Sequence, residues 1–350
     1  MKKETMTSMQ RTLTSLGHNE PDRVPLFLLL TMHGARELGL SIQDYFSKAE
    51  HVAEAQSRMR AKYGHDCLYG FFYAPVEIEA SGGEFIFTPD GPPNSDESFI
   101  KEAAMIGRLK VPDITKTPCL TKVLRAIELM KTRVGDECPI IGVVMSPFSV
   151  PVMQMGFGPY LDLMMENPER FAELMRINQD FCVDWANAQL AAGATAICYF
   201  DPVSSPDMVP RDHFLRTGFK IAGRVLARLN GPVATHLSSG RALPILGDIV
   251  QTGAAVVGVS CVEDLARIKS ACRGKIAVLG NLNGVEMRRW SAAEARQKVR
   301  EAISQGATGG GFILSDNHGE IPWQVPEETL LEIGESLRRH GTYPVKGAPA

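Results

Sequence analysis

With 350 residues, 44% of them hydrophobic and 22% charged, the chain has enough apolar mass to bury a full core, and its formal net charge of −3 provides no field that would gather nucleic acid. No apolar stretch approaches the ~20 residues needed to cross a bilayer, and residues 1–16 are too polar for a secretory signal, so a cytoplasmic location is expected. Seven cysteines, an odd set without a CxxC pair, argue against a disulfide framework or a closed zinc knuckle and predict buried thiols.

The first residues are helical in pattern through Met9, Leu13 and Leu16, and Glu20-Pro21-Asp22 breaks that helix before the first strand. Apolar runs of strand length then occur at 24–30 and 67–70. Glu84-Phe85-Ile86-Phe87-Thr88, followed by Pro89-Asp90-Gly91-Pro92-Pro93, predicts a short extra strand (84–88) ending in a rigid turn, inserted so as to shape or lid a pocket. A third strand is predicted at 140–145. Asn167-Pro168-Glu169 then opens a helix with a polar cap, a first-turn proline and an acidic start, and its Phe171, Leu174, Met175, Ile177 and Phe181 recur at helical spacing. Five further strands follow at 196–200, 232–236, 255–259, 276–279 and 311–314. Gly193, Gly253 and Gly306 each close a helical pattern just before one of these runs, where a left-handed residue stops the helix.

Eight strands alternating with helices predict a closed parallel (β/α)8 TIM barrel, one domain over residues 1–350 with its core at about 24–340. In such a barrel the C-terminal strand ends share one face. The runs ending at Asp201, His236, Asn281 and Ser315-Asp316, with His318 close behind, should therefore converge on one pocket.

His236 is followed by the polar turn Ser238-Ser239-Gly240, and His318 has Asp316, Asn317 and Glu320 nearby, so both suit general acid/base chemistry or metal ligation. Glu77 and Glu79 would face one side if their segment is extended, and Asp201 is the acidic end of a buried strand; a solvated loop and a helix cap are the structural alternatives. Asn281 suits a substrate oxygen or loop order, and His33, Arg36, Tyr73 and Met153 are candidates to line the mouth. Gly309-Gly310-Gly311 has no phosphate-loop context.

The opening Ser15-Leu16-Gly17-His18-Asn19-Glu20-Pro21-Asp22-Arg23-Val24-Pro25 resembles that of the uroporphyrinogen decarboxylase superfamily. Ser146-Pro147-Phe148-Ser149, Gly280-Asn281-Leu282-Asn283 and His318-Gly319-Glu320-Ile321-Pro322 resemble its loops after the third and seventh strands and its closing motif. The resemblance implies a (β/α)8 barrel with its site at the C-terminal mouth. Its decarboxylases hold a polycarboxylate porphyrinogen with an arginine-rich segment and a catalytic aspartate. Here those segments read Leu30-Thr31-Met32-His33-Gly34-Ala35-Arg36 and Phe71-Phe72-Tyr73-Ala74-Pro75, with one arginine and no acid, which disfavours porphyrinogen decarboxylation.

Glu77-Ile78-Glu79-Ala80 and Asp201-Pro202-Val203-Ser204-Ser205-Pro206 look more like the corrinoid-dependent methyltransferase branch. That branch implies zinc held by a His-x-Cys pair and a later cysteine, but His236-Leu237-Ser238 and His318-Gly319 lack both sulfurs, and coenzyme M as acceptor is unsupported. A remaining metal site would be harder, with His236, His318 and Glu77 or Asp201 as ligands. The resemblance thus implies a methyltransferase moving a methyl group between a small molecule and a corrinoid protein that carries methylcobalamin, with zinc assisting. A metal-free decarboxylase and an inert binding barrel are the alternatives.

Overall fold

The computed structural model describes residues 4–345. Its strands are β1 (Leu26–Phe27), β2 (Leu68–Tyr69), β3 (Phe85–Thr88), β4 (Gly91–Ser95), β5 (Ile140–Met145), β6 (Ala196–Phe200), β7 (Val233–His236), β8 (Val256–Gly258), β9 (Ala277–Leu282) and β10 (Phe312–Asp316). Eight of them form one parallel sheet in the order β1-β10-β9-β8-β7-β6-β5-β2, curled into the expected barrel with helices outside, while β3 and β4 form a separate antiparallel hairpin.

Every residue of β5 is buried, because a parallel barrel strand has helices on one face and the lumen on the other. Ile140 and Val144 join the layer beneath the helices, whereas Ile141, Val143 and Met145 point inward with Phe27, Cys198, Leu279 and Ile313. The helix Pro168–Ala191 begins as its sequence predicts, with Asn167 accepting from the Arg170 N–H, and buries Leu174, Met175, Phe181 and Trp185. Six cysteines are buried and Cys261 is half-buried. Among the described residues no helix is long and apolar enough to cross a membrane.

Two sequence expectations need correction. Gly193 (φ 117°) and Gly253 (φ 90°) take the left-handed stop, but Gly306 remains helical and the reversal falls at Gly309-Gly310-Gly311 (φ 78°, 64° and 64°). A Cβ on Gly310 would collide with the Asn19 carbonyl oxygen, so close approach to the N-terminal segment accounts for the glycine there. The proline-containing run after Thr88 is also more than a turn, because Gly91–Ser95 pairs with β3 through Phe85↔Ser95 and Ile86↔Asn94. A two-stranded ribbon leaves each strand an unpaired edge, where proline's missing donor costs nothing.

The helix Ser8–Leu16 starts with a reciprocal Thr7/Gln10 capping box and closes the barrel floor. Met9, Leu13 and Leu16 meet Phe27, Leu29 and Ile141 around a small apolar cavity. Asp66 anchors this end, accepting from Arg11 Nη1 and Arg23 Nη1, each at 2.6 Å.

The same aspartate helps close the barrel between β1 and β2, which share no regular ladder. Its N–H donates to the Leu26 carbonyl (2.7 Å), and its Oδ2 accepts from the Leu26 N–H (2.9 Å). Gln56, on the helix Ala49–Tyr63, continues the closure by donating to the Leu30 carbonyl (2.7 Å) and accepting from the Tyr69 N–H (3.0 Å). Apart from the single Asp66–Leu26 backbone bond, side chains supply the pairing at this junction.

Candidate functional site at the barrel mouth

The carboxyl ends of the strands surround an open pocket. Phe71 and Ala74 follow β2, Met145 ends β5, Ser149 and Met153 follow it, and Phe200, Val203, Met208, Ser238, His318 and Glu320 complete most of the wall. The lining is largely apolar and contains no lysine or arginine.

The segment after β10 carries the titratable groups. Asp316 is fully buried, and its Oδ2 accepts from the N–H groups of His318 (2.8 Å) and Gly319 (2.7 Å). Burial raises the Asp316 carboxyl, against the lowering effect of those two donors. The turn is held tightly: Gly319 has φ 90°, and a Cβ there would collide with Phe200 Cζ. Tyr69 Oη donates to the Gly319 carbonyl at 2.9 Å.

This turn exposes His318 at the mouth, with its Nδ1 2.8 Å from Ser239 Oγ. Glu320 follows, and Thr31 Oγ1 donates to its Oε1. Although part of the Glu320 side chain reaches solvent, burial pushes its carboxyl up to about 7, against the lowering effect of the Thr31 bond. Near neutrality the pocket wall therefore holds a carboxyl able to give or take a proton.

His236 lies at the same end but outside the pocket lining. It is wholly buried, with its ring centroid 5.1 Å from that of Phe200, and a Cβ on Gly319 would touch both rings. Its Nδ1 accepts from the Ser238 N–H at 3.0 Å, and Nε2 has no partner. Burial first, then the neighbouring His318, pushes the imidazole down to about 3. The expected open catalytic histidine is instead a neutral ring packed beneath the pocket.

Asp201 is likewise an internal tie rather than a free acid. It is buried and accepts from Ser146 Oγ (2.5 Å), Ser149 Oγ (2.8 Å) and Ser204 Oγ (2.5 Å), which binds together the loops after β5 and β6. The serines of Ser146-Pro147-Phe148-Ser149 thus position an acid. Burial raises the Asp201 carboxyl despite these donors.

The segment carrying Glu77 and Glu79 is a short helix, Val76–Ala80, not an extended strand, so the two acids diverge. Glu77 is buried, and its Oε1 accepts from the Met145 N–H at 2.8 Å, while burial pushes its carboxyl up to about 8. Glu79 accepts from Tyr73 Oη at 2.6 Å. Tyr73 stacks on Phe85 (5.2 Å between centroids) and is buried, so it fastens the β3–β4 hairpin instead of lining the mouth.

Of the remaining candidates, only Met153 reaches the pocket. Asn281 lies within β9 and donates to the Ser260 carbonyl at 3.1 Å. The Arg36 guanidinium sits 3.8 Å above the Trp323 ring and donates to the Val325 carbonyl. His33 lies beside the same tryptophan, and burial pushes it down to about 3.

The metal ligands expected from the sequence fail to assemble. Glu77 is directed to the Met145 N–H and His236 Nδ1 to the Ser238 N–H. Among the described residues, no three His, Cys, Asp or Glu side chains are grouped to hold a metal ion. The groups present do not fit the expected zinc site. Glu320, Thr31 and Ser239 join the site although none is singled out by the sequence; each lies in a segment that the sequence marks, the closing motif, the first-strand loop and the polar turn after His236, and membership of those segments is the available signal.

The structure defines a parallel α/β barrel with a built pocket at its carboxyl mouth. The sequence profile of the uroporphyrinogen decarboxylase (URO-D) family matches residues 7–340, and the chain belongs to that family. It is 24% identical to a uroporphyrinogen decarboxylase of Idiomarina loihiensis, over 94% of this chain and 95% of that one. It is 26% identical to the Pelobacter propionicus uroporphyrinogen decarboxylase, over 91% and 95%. Among solved structures, a methyltransferase from Methanosarcina mazei shares the fold with a TM-score of 0.84 at 19% identity, covering 96% of this chain and 99% of that chain.

Proposed function

We propose that this chain is a methyltransferase of a corrinoid-dependent pathway, moving a methyl group between a small, largely apolar molecule and a corrinoid protein docked over the barrel mouth. The carrying observation is the pocket lining, which has apolar walls, no lysine or arginine, and His318 and Glu320 as its titratable groups. A porphyrinogen with several carboxylates requires several fixed cations, because unpaired charges lose hydration on entering such a wall. Arg36, the arginine of the first-strand loop, is stacked on Trp323 instead.

A reduced corrinoid, held by the partner, would supply the centre that accepts the methyl group and leaves carrying it as methylcobalamin. The chain's own task is to hold the small molecule against Phe71, Phe200 and Met153 and to manage one proton. When a methyl group leaves an oxygen, the C–O bond breaks and the oxygen acquires negative charge. The Glu320 carboxyl is placed to deliver a proton there, and His318 to donate a hydrogen bond.

A second reading, decarboxylation of a small acid, is favoured by the names of the similar proteins and by the same proton-handling pair. The two are separated by incubating the purified chain with a reduced corrinoid protein and a panel of methyl ethers, following the cobalt absorption spectrum, and in parallel with small carboxylic acids, following carbon dioxide. Methylated corrinoid supports the transferase. Carbon dioxide without methyl transfer rejects it, and no turnover in either arm favours an inert barrel.

A further inference from the structure

A hydrogen-bond chain leading to His318 has its direction set at the buried end. Asn317 is buried, and the Gly284 N–H donates to its Oδ1 at 3.1 Å. Only the amide oxygen can accept, so the amide NH2 must face Ser239 Oγ, 3.3 Å away. Ser239 Oγ has two protein partners, and since the Asn317 NH2 is a donor, His318 Nδ1, 2.8 Å away, is the one protein acceptor open to the serine hydrogen. A neutral imidazole that accepts at Nδ1 carries its hydrogen on Nε2.

We propose that Asn317 and Ser239 are positioning residues that lock His318 as an Nε2–H donor at the barrel mouth, so that the pocket selects small apolar molecules bearing an oxygen acceptor. The ligand class is an ether, carbonyl or carboxylate oxygen on an apolar body. Glu320, held by Thr31 across the same pocket, adds a second hydrogen when protonated. The tautomer is independent of the transferase reading, and the ligand preference applies equally to a methyl ether and a small acid.

The test begins with nitrogen-15 histidine labelling and long-range proton–nitrogen correlation of the full chain at alkaline pH, where imidazoles are neutral. His318, assigned by its loss in His318→Gln, is expected to show the Nε2–H pattern. Asn317→Asp keeps an acceptor for Gly284 but offers Ser239 an oxygen in place of NH2. The serine hydroxyl should then turn toward the new carboxylate, accept from His318 Nδ1–H and reverse the tautomer. An Nδ1–H pattern in the native chain, or an unchanged pattern in Asn317→Asp, overturns the proposal.

Should Asn317→Asp fail to fold, Ser239→Ala serves the same purpose: loss of the single tautomer supports the chain, and retention rejects it. Ligand preference is read from the binding of methoxybenzene against ethylbenzene, its isostere without the oxygen. Methoxybenzene should bind several-fold to about tenfold more tightly, the worth of one good hydrogen bond, and the preference should shrink in Ser239→Ala. Equal binding by the native chain rejects the selection.

Discussion

Replacing Glu77 by glutamine should stabilise the protein in a pH-dependent manner. The folded carboxyl lies at about 8 against an ordinary value of 4.5, with burial as the main cause and the Met145 N–H opposing it. Below the ordinary value both states hold the proton, so the acid imposes no ionisation penalty on folding. As pH rises from 4.5 toward 8, the unfolded chain releases this proton while the folded chain retains it, and the native state loses ground. Above the folded value both states are ionised and the penalty is constant. At about 1.4 kcal/mol for each pH unit separating the folded from the unfolded value, the full effect is on the order of 5 kcal/mol. Glutamine keeps an oxygen for the Met145 N–H and has nothing to ionise. Urea unfolding of both proteins at a series of pH values, taken as a difference to cancel groups common to both, should show the glutamine variant gaining across that window and then levelling. Parallel curves would refute the reasoning, because they would mean that the carboxyl is solvated in the native state.

Asp66→Asn removes the charge between Arg11 and Arg23 and should cost about 3–5 kcal/mol in thermal unfolding. Burial opposes ionisation of Asp66, but the two arginines and the Leu26 N–H outweigh it and hold the carboxyl below its ordinary range. Its stabilisation is thus present above the ordinary carboxylate range and lost as pH falls through the lower folded value, so the variant's acid limb should be flatter. Gln56→Leu leaves the Leu30 carbonyl and the Tyr69 N–H without partners, at about 1–3 kcal/mol each, and faster amide exchange at Tyr69 is the specific readout. Glu320→Gln should reduce turnover by about 10²- to 10⁴-fold while raising the melting temperature near pH 7, by the same linkage as Glu77→Gln, so that lost activity cannot be put down to lost stability. In the unmodified protein the acid-dependent step should slow as pH rises through about 7, since the protonated form is the donor.

The barrel was legible because strands buried on both faces leave continuous apolar runs, and β5 and β6 fall where those runs predict. β1 and β2 are shorter than their runs, since pairing at that junction passes to Gln56 and Asp66, helix and loop residues that no strand pattern reveals. At the site, the strand-end rule located Asp201 and His236 at the correct end but could not show what surrounds them. Three serine hydroxyls engage the acid, and Phe200, opposite His236 in the β6–β7 register, packs beside its imidazole. Glu77 was misplaced by a periodicity error: a two-residue spacing means one face of a strand but opposite sides of a helix. Burial and hydrogen-bond direction, which decide the chemistry of all these groups, depend on residues far away in the chain.

The junction between β1 and β2 makes closure of the barrel depend partly on side-chain identity. Elsewhere the girth is set by peptide spacing, which substitution hardly alters. Here a single backbone hydrogen bond, from the Asp66 N–H to the Leu26 carbonyl, is joined by one amide and one carboxylate, so truncating either side chain would loosen the seam without disturbing any ladder. A residue on an outer helix is thus part of the chamber wall, and a change made outside is felt within.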